Sequence, residues 1–170
     1  MPLLTHSQEP PARSGQQRNE TIRFCSRCGG PDDALPGRPE LRRRVCERCG
    51  MGVMLTASSD ALPGAGAAFM VVTAELAVSA VSRSGDKVFG EEGELTGSHL
   101  LSIVTCPLGD DQLEGHVRRA TERRRDTLSL PVRLLSGDAP KVGTLSARIA
   151  TCGPPRAALV AVEPSGFGIR

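Results

Sequence analysis

Tryptophan and tyrosine are absent from the 170 residues, and phenylalanine occurs only four times. Base-stacking surfaces and aromatic cages both need flat π-faces, so neither is expected here. Lysine is scarce beside arginine while Ala, Gly and Pro are common, a genome-level bias that makes arginine weak testimony for bidentate recognition. An excess of one charge is lacking as well. The formal net charge is only +2, so the whole molecule is not a polycation built to coat nucleic acid. No apolar run approaches the ~20 residues of a spanning helix. The opening Met1-Pro2-Leu3-Leu4-Thr5-His6 has neither the charged stretch nor the long apolar stretch of a secretory signal. A cytoplasmic location is therefore expected. What remains, 39% hydrophobic and 24% charged, suits a soluble chain of one or two domains with a core of its own.

Six cysteines are present and unevenly placed. Cys25, Cys28, Cys46 and Cys49 form two Cys-x-x-Cys pairs with seventeen residues between them, whereas Cys106 and Cys152 stand alone. A metal bound by four thiolates needs a tetrahedron of sulfurs, and a two-residue turn lets one pair supply two of them. Glycine follows each pair, in Cys28-Gly29-Gly30 and Cys49-Gly50-Met51-Gly52. A residue tolerant of positive φ there lets the chain fold back and aim amides at the sulfurs. The spacing matches a four-cysteine zinc pattern. Paired disulfides would need an oxidising compartment, and two redox motifs this close together are uncommon. An iron centre of rubredoxin type uses similar turns and stays open. The segment from Ile22 to Val53 resembles a zinc ribbon with a structural, closed zinc.

Organisation follows from that anchor. Residues 1–21 are rich in Pro, Gln, Ser and charge and read as a disordered tail. The ribbon occupies 22–53, with Leu41 to Val45 as a short strand into its second knuckle. Residues 54–66 read as a linker, 67–165 as a second domain and 166–170 as a C-terminal tail. Up to Met51, nine arginines against six acids give +3. From Gly52 onward, twelve basic residues against thirteen acids give −1. Mild basicity thus sits on the ribbon.

In the second domain, Phe69 to Thr73 and Leu76 to Ser82 predict a β-hairpin. Ser98 as N-cap, with Leu100, Ile103 and Val104 on one face, predicts a short helix. Asp110 to Arg125 predicts the clearest helix, with Leu113, Val117 and Ala120 as its apolar stripe. Three strands close the chain: one alternating through Leu128, Leu130, Val132 and Leu134, one from Val142 to Thr151, and one from Ala157 to Val162. Pro131 cannot donate to a ladder, which puts its strand at an edge or a bulge.

Phe69-Met70-Val71-Val72-Thr73-Ala74-Glu75-Leu76, then Val88-Phe89-Gly90 and Glu94-Leu95-Thr96-Gly97-Ser98-His99-Leu100-Leu101, are similar to the opening of a PAS domain. The resemblance runs from Ala67 to Val162. Two strands, several short helices and then three strands give a five-stranded antiparallel sheet with helices across one face, an α+β fold joined to the small zinc ribbon. The resemblance implies a sensory or protein-contact module without catalysis. The reactive thiol of the flavin-binding branch is missing at Gly97-Ser98-His99-Leu100. His116 is the one candidate haem ligand, but it lies at the margin of a charged helix, so neither flavin nor haem is expected. His99 reads as exposed, His6 lies in the tail, and Cys106 and Cys152 read as buried small hydrophobes.

No phosphate-binding Gly-x-x-x-x-Gly-Lys loop and no Gly-x-Ser-x-Gly elbow occurs. Glu91, Glu92 and Glu94 read as a solvated loop, and the expectation is of no enzymatic activity. Two functions stay in play. One is a signalling module that senses a small ligand or docks on a protein, the zinc being structural. The other is a transcription-associated nucleic-acid binder acting through Arg38, Arg42, Arg43, Arg44 and Arg48 on the ribbon. A homodimer is expected through the sheet face that the helices leave bare. Its rival is a monomer in which the segment carrying Met54, Leu55 and Leu62 covers that face.

Overall fold

The computed structural model describes residues 20–32, 43–62, 64, 66–122, 126–135 and 144–164. Residues 1–19, with His6, residues 166–170, Arg38 and Arg42 lie outside them; Glu20 and Thr21, read as tail, are described, and Thr21 begins the first strand. Among the described residues, eight strands and three α-helices follow one another: β1 (Thr21–Cys25), β2 (Met54–Ser58), β3 (Ala68–Val72), β4 (Val78–Val81), α1 (Asp86–Phe89), α2 (Glu92–Leu95), β5 (Val104–Thr105), α3 (Asp110–Thr121), β6 (Leu128–Leu134), β7 (Leu145–Gly153) and β8 (Ala157–Pro164).

The strands form a single antiparallel sheet in the order β1-β2-β7-β8-β3-β4, with β6 pairing β7 and β5 pairing β6. Strand β7 organises it. Along one edge it pairs β8 for its whole length, from Leu145↔Pro164 to Cys152↔Ala157. Along the other it pairs β6 first, from Val132↔Leu145 to Leu128↔Ile149, and then β2, at Ala57↔Cys152 and Thr56↔Gly153. The pattern of β7 records this change of neighbour. Leu145, Ala147 and Ile149 point into the helix-covered core throughout. The opposite face begins with Ser146 and Arg148 and turns apolar at Ala150 and Cys152, where the ribbon strands cover it.

Two cores result. Under the helices, Met70, Val72, Val81, Leu100, Ile103, Leu113, Val117, Val132, Ile149 and Val160 are buried together. The α3 stripe of Leu113, Val117 and Ala120 seals this side, and Thr151 Oγ1 donates to the Ala120 carbonyl at 2.6 Å. Across the sheet, Phe69, Val71, Leu159 and Ala161 pack on Phe24 of β1, on Leu55 and Ala57 of β2, and on Ala61. Strands β3 and β8 are apolar along their length because both their faces are covered.

Four expectations need correction. The fold is not an α+β domain with a five-stranded sheet and a separate ribbon; the sheet has eight strands and the ribbon supplies two of them. Met54–Ser58 is strand β2 and not linker, because Leu55 and Ala57 gain a buried place opposite Phe69. The segment from Ser98 makes only a 3-10 turn, Leu100–Ser102, before Val104 and Thr105 pair with Leu134 and Arg133. There the cap is His99, whose ring accepts from the Leu101 amide, and not Ser98. Of the strand expected from Leu41 to Val45, Leu41 and Arg42 lie outside the described residues, and among Arg43 to Val45 only Val45 makes a bridge, to Val53. The hairpin β3–β4, helix α3 and strands β6 to β8 fall where periodicity puts them. Pro131 pairs with Ser146 of β7 and lies outside the two residues of β6, Arg133 and Leu134, that β5 pairs.

Covering of the second sheet face within the chain removes the premise of the expected dimer. Phe69, Leu159 and Ala161 are wholly inaccessible without a second copy. Sedimentation at micromolar concentration is expected to return one species of 17.9 kDa that persists on concentrating; a 36-kDa species, about twice that mass, would reinstate the dimer.

Candidate metal centre

Strand β1 ends on Cys25, and β2 begins at Met54, its partner in register. Each strand end therefore leads into a cysteine turn. In the first turn, the Gly29 amide donates to the Cys25 carbonyl at 3.0 Å; in the second, Gly50 donates to Cys46 at 2.8 Å. Both glycines have left-handed backbones, φ 68° and 70°, as the position after the second cysteine requires. The turns are laced together by Ser26. Its amide donates to the Val53 carbonyl at 2.8 Å, and its hydroxyl accepts from the Val53 amide at 3.0 Å.

The four sulfurs, from Cys25, Cys28, Cys46 and Cys49, lie within 4.8 Å of one another. Cys25 Sγ is 3.6 Å from Cys49 Sγ, and Cys28 Sγ is 3.8 Å from Cys46 Sγ. A metal held by four thiolates at about 2.3 Å sets tetrahedral edges of about 3.8 Å. These distances are far beyond a bonded sulfur pair, whose length is about 2.05 Å. Amides support the sulfurs: Arg27 and Cys28 donate to Cys25 Sγ at 3.3 and 3.4 Å, and Gly52 to Cys49 Sγ at 3.4 Å. Such outer donors orient the ligands and offset thiolate charge. Burial pushes the Cys25 thiol up to about 12, whereas the Met51 and Gly52 amides bring Cys49 down to about 6. The residues fit a metal ion.

Gly52 is a requirement that spacing alone conceals. A Cβ there would stand 2.2 Å from Cys25 Sγ and 2.8 Å from the Arg27 amide nitrogen. Gly52→Ala is expected to lose the metal, because the clash is with backbone and ligand together. Gly50→Ala meets no atom within 4 Å and is strained only by its φ, so it should cost about 1–2 kcal/mol and keep the metal. Metal content after gel filtration checks both. Retention of one equivalent by Gly52→Ala would show that the turn can move aside.

The other expected site residues disperse. Arg43 pairs with Glu47 at 2.5 Å on the surface. The Arg48 guanidinium lies against Gly30, where a Cβ would meet it at 2.8 Å. Arg44 is exposed. His116 turns its Nδ1 to the Gln112 carbonyl of its own helix, at 2.6 Å, and is not among the core side chains. His99 is an exposed cap. Cys106 and Cys152 are buried in the two apolar cores, and burial pushes the Cys152 thiol up to about 12.

Sequence reading missed Arg27, one of the two residues between Cys25 and Cys28. Its guanidinium forks onto Asp86, with Nη1–Oδ1 at 2.8 Å and Nη2–Oδ2 at 2.5 Å, and lies 3.5 Å from Glu92. Among the three glutamates read as a solvated loop, Glu92 is thus tied to the ribbon. Only its distance in sequence, 59 positions from Arg27 to Asp86, hid the cluster. Comparison with family models, curated proteins and solved structures finds no match to this chain, so the PAS resemblance gains no support.

Proposed function

We propose that the chain is a non-enzymatic regulatory module that acts by protein contact, with a structural zinc holding the contact surface. Four thiolates with no oxygen or nitrogen ligand suit a closed structural zinc rather than a catalytic one. The observation that carries the reading is the apolar tip beside the second knuckle. Val45, Met51 and Val53 are 53%, 65% and 46% exposed, three of the five large apolar side chains so exposed among the described residues. Val45 and Val53 are antiparallel bridge partners, so their side chains share one face. With the exposed Arg44 beside them, they suit a partner offering an apolar contact flanked by a carboxylate.

The charge of the centre weighs against nucleic acid. Four thiolates on a dication carry −2, which reduces the +3 of the first fifty-one residues to +1. Too little positive charge then remains for strong phosphate neutralisation. No helix among the described residues is long and apolar enough to cross a membrane.

The test compares the zinc-loaded protein with a Met51→Glu/Val53→Glu variant of equal zinc content. A protein cross-linked to the former in its native cell and lost from the latter supports the reading; equal capture by both overturns it. Saturable binding of DNA or RNA at moderate salt, abolished by Arg44→Ser and Arg48→Ser, would establish the nucleic-acid function instead.

A further inference from the structure

Arg27 belongs to the cysteine turn by its backbone and to the helical segment by its side chain. Its amide donates to Cys25 Sγ at 3.3 Å, and its carbonyl accepts from the Arg83 amide at 2.7 Å. The guanidinium donates to the Val81 carbonyl at 3.0 Å as well as to both Asp86 oxygens. The acids carry the connection onward. Asp86 Oδ1 accepts from the Glu92 amide at 3.2 Å, and Glu92 Oε1 accepts from the Val81 amide at 3.1 Å. The Arg27–Asp86 pair is partly shielded, its side chains 17% and 22% exposed, whereas Glu92 is 33% exposed. A two-pronged, shielded pair of this kind is stronger and more directional than a surface ion pair.

The segment so held is otherwise lightly built. Helices α1 and α2 have four residues each, too short to be stable alone. From α1, Phe89 enters the main core, and Val88 and Leu95 pack against it. The start of the segment is tied to the sheet, where Val81 pairs with Met70 and the Ser82 hydroxyl donates to the Ala67 carbonyl and accepts from the Phe69 and Gly85 amides; beyond Ser82, the cover is fixed by core packing on one side and the Arg27 cluster on the other.

We infer that Arg27 couples metal binding to closure of residues 81–96 over the main core, making the helical cover responsive to metal occupancy. With the metal bound, the cysteine turn is rigid and the guanidinium is aimed at Asp86 and Glu92. Without it, the turn has no fixed shape and the clamp loses its anchor. By linkage the effect is reciprocal: whatever opens residues 81–96 must weaken metal binding by the same factor. This inference rests on the metal reading of the four cysteines.

The experiment uses the full zinc-loaded chain and the variants Asp86→Asn and Arg27→Ala, with Lys87→Ala as an exposed control. Amide exchange by mass spectrometry reports residues 81–96, and competition with a chelating dye reports zinc affinity. Asp86→Asn touches no cysteine, yet it should raise exchange in 81–96 and lower zinc affinity about 5- to 10-fold. Strands β7 and β8 should keep their protection, which separates local opening from unfolding. Lys87→Ala should change neither quantity. Increased exchange with unaltered zinc affinity would overturn the coupling and leave the metal site standing. A wild-type chain that binds no zinc would instead overturn the reading of the four cysteines. Should Arg27→Ala fail to fold, Asp86→Asn and Lys87→Ala decide the matter alone.

Discussion

Cys46→Ser is expected to lower the stability of the whole chain, and not that of its first fifty residues only. Apparent binding energies of structural zinc in small peptides are about 10–16 kcal/mol. Total domain stabilities are about 5–15 kcal/mol, so metal loss is large on that scale. Here the loss cannot stay local. Cys25 and Met54 are register partners, and the same two strands bring Phe24, Leu55 and Ala57 onto Phe69 and Leu159. Fraying of β1 and β2 therefore strips one face of β3 and β8, which are central in the sheet. Calorimetry of the zinc-loaded protein should show one transition, with the variant's midpoint lower by more than ~10 °C. Two transitions, the second unchanged by the substitution, would show an autonomous ribbon beside an independent domain.

Phe69→Ala is expected to cost about 3–5 kcal/mol and to weaken metal binding as well. Phe69 has no accessible surface and meets the Phe24 ring edge-on, with centroids 5.6 Å apart and planes at 85°. Its ring also lies under the first cysteine turn: a Cβ on Gly29 would stand 3.3 Å from Phe69 Cε1. Removing the ring opens a cavity between sheet and ribbon and leaves the turn unsupported. Leu108→Ala, at a position 67% exposed, should stay within about 0.5 kcal/mol of the parent. Urea midpoints with zinc present supply the comparison. A Phe69→Ala variant as stable as Leu108→Ala would mean that the second core contributes little.

Acid should act on the clamp in a definite direction. The Arg27 fork holds the Asp86 carboxyl below the usual carboxylate range. A carboxyl with a depressed folded pKa adds stability that is present above its unfolded value and lost as pH falls through the folded one. Protection of residues 81–96 therefore declines at acid pH, the same direction in which thiolate protonation releases metal. Asp86→Asn should remove the carboxylate's share of that decline.

The metal centre was legible in the sequence because everything it needs is local. Two residues between cysteines, glycine at the following position and a second copy of the same turn specify the ligands and their backbone shape. Helix α3 was legible for a similar reason, since Leu113, Val117 and Ala120 recur at the helical period. The closing strands were too, through alternation at Leu130 and Val132 and at Leu145, Ala147 and Ile149.

What alternation does not encode is the neighbour. A strand of period two reads alike whether its open edge meets solvent, β6 or β2, and Met54–Ser58 is short and followed by small polar residues, so it reads as linker. Its place in the sheet comes from contacts with segments about a hundred positions away, Cys152 and Leu159 among them. The apolar runs of β3 and β8 announce burial on both faces without saying what covers the second. The sequence by itself determined the four-cysteine cluster, its turns and the helical stripe, each the product of spacing within one segment. Tertiary structure alone decided that the ribbon is part of the sheet, that it closes the second core and that Arg27 reaches Asp86. Those outcomes depend on which distant surfaces exclude water together, and no local period carries that information.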